Sequence, residues 1–448
     1  MVLNLFSSRP DHPLADAREL KRVLAELPLD DPFRAVDEVA GWLESLANAE
    51  GFRAAQRFDL VQQLDDAAQP HLKRLARHYL TTPRLSRAEE RRLWSAIFNY
   101  WGWLSTLGER CLAAAPGKEA ESLKAVLPLL AARTVAALGQ QVKWLEFRYG
   151  PLENDLWQRL GQTYLAAESA RIAHKPVALY PGAAEATTVA GEYLQVLVFH
   201  ASSMDCLMPL EIEIADRLIA HFRGEFVFSA EARPDSVYWV DAAQARPPMR
   251  MARQPSAATP GLRFFAPGAA ATVLATLLRK VEAGELPAEL NLGGQYPART
   301  VLPVLRHLAT YWSAQPPQRE HPRHNVKTRV SVLNGFDDCF TLFAGGAARV
   351  GKERAAESWV VDNVSLGGFG ASIDSLRGEW LKVGSLIAIQ PEGGDNWLLG
   401  VVRRFSRESE SEASVGIQTL ARQACGIELR PRTATHAAGG AVPGIRLA

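Results

Sequence analysis

From the N-terminus to about Phe222 the apolar side chains recur every three or four residues, the spacing that gathers them on one face of an α-helix. Asp31 followed by Pro32 supplies a cap and a first-turn proline. Behind them Val36, Val39, Leu43 and Leu46 share one face, leaving Asp37, Glu38 and Glu44 outside it. The pattern continues over 53–80. Ser86 and Glu89 stand at capping-box spacing and open a predicted helix whose stripe is Leu93, Ile97, Trp101 and Leu104. Further helices are predicted over about 118–148, 152–173 and 188–222. The stretch 175–187, with Pro176, Pro181 and Gly182, breaks the run.

Beyond Phe222 the texture changes. Short strand-like pieces at 225–229, 236–240 and 261–265 lie among proline-rich stretches, and two helices return near 269–283 and 299–313. From residue 315 on, Val, Ile, Phe and Trp cluster in short runs separated by Gly, Asp and Ser, the pattern of a β-meander or barrel. Strands are predicted at 326–334, 338–344, 357–362, 369–373, 384–390, 396–405 and 413–420. The expected fold is a multidomain α+β chain. It has a large all-α N-terminal half (a helical domain over 1–174), a small mixed region within a middle domain over 188–314, and a C-terminal antiparallel β-barrel over 315–430. The tail 431–448, rich in Ala, Gly, Pro and Thr, is predicted to be disordered.

Composition narrows the functional classes. A chain of 448 residues suggests about three domains at roughly 100–200 residues each. Its 47% hydrophobic and 22% charged residues exclude a disordered or fibrous protein. Lys and Arg total 50 against 49 Asp and Glu, so no global field recruits nucleic acid or an anionic membrane. No apolar run reaches the ~18–20 residues of a membrane span, and Pro10 and Asp11 interrupt the N-terminus too early for a signal-peptide core. Cys111, Cys206, Cys339 and Cys425 are scattered, without metal or redox spacing. No metal site and a reducing, cytoplasmic setting are expected.

Most motif matches fail on their chemistry. Gly346-x4-Gly351-Lys352 resembles a phosphate-binding loop, but Glu353 stands where a magnesium-holding hydroxyl is needed. Gly367-Gly368-Phe369-Gly370 lacks the third glycine and following helix of a dinucleotide loop. Trp157-x-x-Leu160-Gly161-x-x-Tyr164 matches the first helix of a tetratricopeptide repeat, yet Pro176 and Pro181 fall where the second helix should run. His200 and Cys206 read as core packing. No zinc-spaced His pair or nucleophile elbow occurs, so a non-enzyme is expected. The alternative, an enzyme site in 188–314, would require Asp205, Glu211, Glu213 and His221 to converge.

Two short motifs belong together. Arg319-Glu320-His321-Pro322-Arg323 is an Arg-x-x-x-Arg just before the first predicted barrel strand, and Asn363-Val364-Ser365-Leu366-Gly367-Gly368 is an Asn-x-Ser-x-x-Gly at a strand-to-turn junction. The pair resembles the signature of the PilZ family of cyclic di-GMP receptors. WLKVGSLIAIQP, WLLGVVRRFSRES and ASVGIQTL are similar to that family's later strands. The resemblance covers about 316–425. It implies a β-barrel that binds cyclic di-GMP through Arg319, Arg323, Asn363, Ser365 and Gly368. It also implies an output in motility, pili, exopolysaccharide or biofilm control. The stretch between the motifs, FAGGAARVGKERAAES, is longer than a compact hairpin needs, and Gln318 stands where the family often carries another Arg.

The chemistry fits the ligand. Arginine grips a guanine O6/N7 edge bidentately, pairs with phosphate or stacks on a base. Asn363 offers both a donor and an acceptor, Ser365 a hydroxyl, and Gly368 a close backbone approach. Within 317–331 four basic residues, Arg319, Arg323, Lys327 and Arg329, face the single acid Glu320. Residues 314–318 lack an apolar anchor, so this linker is expected to order on the barrel when ligand binds. The helical region is then expected to carry the signal to a protein partner. The alternative is a PilZ-like adaptor acting through protein contacts alone.

Overall fold

In the computed structural model, residues 10–447 are described apart from 84, 116, 184, 288–289, 318–321, 347–355, 376–379, 410 and 431–441. The chain forms two compact units. The first comprises the residues up to Leu145 together with Leu152–Ser202 and Pro209–Pro316; the second comprises Glu146–Pro151, Ser203–Met208 and the chain from Pro317 onward. Segments 1–174 and 188–314, read separately from the sequence, thus lie largely in one unit.

The helical unit begins with α1 (Ala17–Glu26), α2 (Pro32–Asn48), α3 (Ala54–Thr81) and α4 (Arg87–Ala113). Asp31 accepts a hydrogen bond from the Arg34 amide at 3.1 Å, as the cap predicts. Ser86 likewise accepts from the Glu89 amide at 3.2 Å, while the Glu89 carboxylate faces His78 at 3.5 Å. The predicted stripes are buried: Val36, Val39, Leu43, Leu46, Leu93, Ile97, Trp101 and Leu104 all lie in the core. α5 (Ala120–Leu123), α6 (Leu127–Glu146) and α7 (Asn154–Ser169) follow. The predicted helix 188–222 is two helices, α8 (Val189–Ala201) and α9 (Pro209–Phe222). Ser203 in the left-handed region, φ 59°, and Pro209 at the start of α9 break it, since an L-residue at positive φ cannot continue a helix.

The predicted mixed region is a four-stranded antiparallel sheet of order β1-β4-β2-β3 followed by two helices. The elements are β1 (Val227–Ser229), β2 (Tyr238–Asp241), β3 (Met249–Arg250), β4 (Leu262–Ala266), α10 (Ala270–Glu282) and α11 (Ala298–Tyr311). It packs on α7. A Cβ at Gly161 would stand 1.9 Å from the Ala242 carbonyl oxygen, and buried Arg263 reaches back to Glu168 and the Tyr164 hydroxyl. This packing accounts for the repeat-like Trp-Leu-Gly-Tyr signature, whose glycine lets α7 approach the sheet. His200, for its part, packs edge-on against Trp157 at 4.9 Å.

The second unit is a closed six-stranded antiparallel barrel of order β10-β7-β6-β5-β8-β9. Its strands are β5 (His324–Asn334), β6 (Glu357–Ser365), β7 (Gly368–Ile373), β8 (Leu386–Pro391), β9 (Leu398–Arg407) and β10 (Ala413–Ala421). Core residues alternate along the strands: Val330 and Val332, Trp359 and Val361, Ala371 and Ile373, Ile387 and Ile389, Val415 and Ile417. On β9 the inward residues are Val402 and Phe405. The phase shifts because the register skips Arg403, with Arg404 opposite Gly416 and Val402 opposite Ile417, a bulge that inserts one unpaired residue.

The predicted strand 338–344 is a helix, α12 (Phe336–Thr341), continuing into a kinked turn over Leu342–Gly346. Gly335 at φ 88° ends β5, and Asp337 and Asp338 occupy the first helical turn, where carboxylates suit the helix dipole. β11 (Ala424–Leu429) pairs with β12 (Val442–Leu447). Disorder predicted over 431–448 therefore fails for 442–447, where a strand partner satisfies a backbone whose composition alone gave no signal; 431–441 lies outside the described residues. One part of the barrel core comes from far upstream. Tyr149 joins it, its ring 5.1 Å from Phe405 and its carbonyl accepting from the Arg407 amide at 2.8 Å.

Candidate functional site

The second motif spans the end of β6, a tight turn and the start of β7. The ladder skips a residue between Val361 and Asn363, so Asn363 stands opposite both Gly370 on β7 and Asn325 on β5. Its side chain lies over Gly370: a Cβ there would be 3.0 Å from both amide heteroatoms. Asn363 Oδ1 is buried and accepts no hydrogen bond among the described residues, a costly state for an amide oxygen that a ligand donor would relieve.

Ser365 donates its hydroxyl to the Gly368 carbonyl at 3.1 Å, which pins the turn. Among the described residues its oxygen accepts no hydrogen bond in return. Gly368 faces Gln418 in the β7–β10 ladder, and a Cβ at Gly368 would stand 1.9 Å from the Ile417 carbonyl oxygen. The Thr419 amide donates to the Gly367 carbonyl at 3.1 Å, tying β10 to the same turn. Gly368 therefore serves barrel closure whatever it does for a ligand. Leu366, at the tip, is 74% exposed.

The first motif approaches the same edge. His324 pairs with Val364 in the β5–β6 ladder, so β5 begins, one residue after exposed Arg323, against the end of β6 that leads to Ser365. Arg319 lies outside the described residues. Lys327 and Arg329 are exposed along β5. Two further residues escape motif reading. Gly370 clears space for Asn363, and Arg403, aimed outward at its bulge, donates to Gln418 Oε1 at 2.8 Å. The sequence marked Gly370 only as part of a rejected dinucleotide-like run and Arg403 not at all, because both roles depend on cross-strand register.

The phosphate-loop-like segment falls mostly in 347–355, outside the described residues. Asp205 pairs with Arg404 in the barrel unit, whereas Glu213 pairs with Lys143 and Arg217 in the helical unit. Among the described residues no group of side chains could hold a metal ion, and no helix is long and apolar enough to cross a membrane.

Comparison with known families agrees with this architecture. A model described as the N-terminal domain of the cyclic-di-GMP receptor FimW matches residues 18–233. A second, described as that receptor's middle PilZ domain, matches residues 348–425. The second match contains Asn363, Ser365 and Gly368 but neither Arg319 nor Arg323. No individually curated protein matches the chain. The first match extends the likeness into the helical half, which the barrel motifs alone left unassigned. With a helical N-terminal region and a PilZ barrel each matching the same receptor and together covering most of the sequence, the chain belongs to the cyclic di-GMP receptor family that these models describe, with cyclic di-GMP as the ligand of that family.

Proposed function

We propose that this protein is a cytoplasmic effector that binds cyclic di-GMP through Arg319, Arg323, Asn363, Ser365 and Gly368 and passes the signal to a protein partner through its helical unit, without catalysing a reaction. The observation that supports the site is the β5–β6 register, in which β5, beginning one residue after Arg323, pairs with the strand end that holds Asn363 and Ser365. Arginines there would grip guanine edges or phosphates while the unsatisfied Asn363 oxygen takes a base donor. Ligand held from both sides would draw the linker before β5 onto the barrel. The chain crosses between the two units near 146, 152, 203, 209 and 317, so a change at the linker has covalent routes into the helical unit.

Calorimetric titration with cyclic di-GMP tests the site. Replacing Arg323 with Ala should cost on the order of 1.5–3 kcal/mol of binding, the range for charge-assisted hydrogen bonds. That is roughly ten- to a hundredfold in affinity. Because Arg323 is exposed, melting without ligand should stay unchanged. Unaltered affinity in an Arg319→Ala/Arg323→Ala variant would refute the assignment. No binding by the unmodified chain would favour the adaptor reading instead.

A further inference from the structure

The helical unit contains a cavity of about 350 Å³ lined by α3, α4, α6, α8, α9 and the loop before α11. Its size falls within the roughly 300–1,000 Å³ of small-molecule sites. Its lining is charged to a degree that helix packing does not require. Lys143 Nζ lies 3.0 Å from Glu213 Oε2 and 2.9 Å from Asp216 Oδ2. Arg217 Nε holds the other Glu213 oxygen at 2.7 Å, and Arg223 bridges Glu192 at 2.6 Å and Gln195 at 2.9 Å. Burying such pairs gains little over apolar residues of similar volume, so a charged cavity wall needs another reason.

Charge balance gives one. Five cations line the cavity against three carboxylates, and those three are engaged by Lys143, Arg217 and Arg223. The remaining cations, Lys73 and Arg77, are exposed one helical turn apart on α3, with no carboxylate partner among the described residues. Trp101, Trp144, Tyr180 and Tyr296 supply flat walls. Burial and the Glu213 charge hold the Tyr296 hydroxyl above its ordinary value, with Arg217 and Arg77 opposing. Tyr296 thus faces the paired network and the α3 cations together.

From this we infer that the cavity is a second ligand site, separate from the barrel motif, for a small anion that carries a planar ring and is of about mononucleotide size. The ring lies against the aromatic walls, and the phosphate or carboxylate is taken by Lys73 and Arg77. The test titrates the full chain carrying Arg319→Ala/Arg323→Ala, so that the barrel motif does not compete. Three probes are used: GMP, indole-3-carboxylate and uncharged guanosine, each followed by calorimetry and tryptophan fluorescence. Either anion should bind, and adding Lys73→Ala/Arg77→Ala should weaken it at least about tenfold with the melting temperature unchanged. Binding of GMP alone identifies a phosphate ligand; binding of indole-3-carboxylate alone identifies a carboxylate. The inference is overturned if neither anion binds, if guanosine binds as tightly, or if the lysine–arginine variant binds unchanged.

Discussion

The helices of the first unit bury Asp65, Arg133, Lys143, Glu192, Glu213 and Asp216, whereas the strands of the barrel bury Val, Ile, Ala, Leu, Trp and Phe and no charged residue among those described. The difference follows from how each fold satisfies its backbone. A closed barrel pairs every strand with two neighbours and leaves a narrow interior that alternating apolar side chains fill completely. Its second motif lies at the end of β6, where a bulge re-aims Asn363 and a turn carries Ser365. Helices satisfy their own backbones and meet through side chains alone. Long charged residues can therefore span the gaps between them, provided each finds a partner.

The strongest way to break this comparison is to remove one partner from a buried pair. Arg133 sits between Asp65 at 3.1 Å and Asp66 at 2.6 Å, with Asp65 fully buried and bonded by Tyr100 at 2.6 Å and Gln69 at 2.7 Å. Burial already pushes the Asp65 carboxyl up. Arg133→Met should cost about 3–5 kcal/mol in urea unfolding, because it strands a buried charge. Adding Asp65→Asn should recover much of that loss. If the single variant is as stable as the parent, the helical interior is not organised by its ion pairs.

An ionisable group buried in the barrel unit sharpens the contrast. Glu146 belongs to an upstream segment rather than a strand, and its carboxyl is pushed up to about 8 by burial and then by the neighbouring Asp205 charge, with Arg404 opposing. The folded protein therefore holds this proton where the unfolded chain, near the ordinary value of 4.5, has released it. The contribution is whole below about pH 4.5 and is lost as pH rises to about 8. Glu146→Gln should remove that slope, worth on the order of a few kcal/mol across the window. The check is denaturant unfolding of both proteins across it, and parallel pH profiles would count against the assignment.

The smallest expected effect compares one substitution in both units. Gly161→Ala and Gly368→Ala each place a Cβ 1.9 Å from a backbone carbonyl oxygen, of Ala242 and Ile417 respectively. Each should cost ~1–3 kcal/mol of stability through forced backbone shifts. Only Gly368→Ala should also weaken cyclic di-GMP binding, which calorimetry on the folded fraction would show. Loss of binding in both variants would mean the helical unit supports the barrel site.

Six of the seven predicted barrel strands formed within a few residues of their expected limits, because period-two alternation is written in neighbouring residues. So were the caps at Asp31 and Ser86 and the stripes of α2 and α4. Expectations failed where a local signal was overruled by distant contacts. The 338–344 segment has strand-like residues, yet it follows Gly335 at positive φ and buries Cys339 as a helix. The tail's last residues pair with β11, the strand just before them, and that partner orders them where composition gave no signal.

The sequence by itself determined the helical half, the barrel and the two motifs, since each rests on short-range periodicity or on residue type at fixed spacing. It also carried the likeness that the family comparison extends to the helical half. Only the tertiary structure decided that Gly370 seats Asn363, that Arg403 leaves the ladder, and that Tyr149 completes the barrel core. It alone brought Lys73, Arg77 and the Lys143 network around one cavity. Those facts depend on register and packing between elements, and no local pattern encodes a distance that only packing sets.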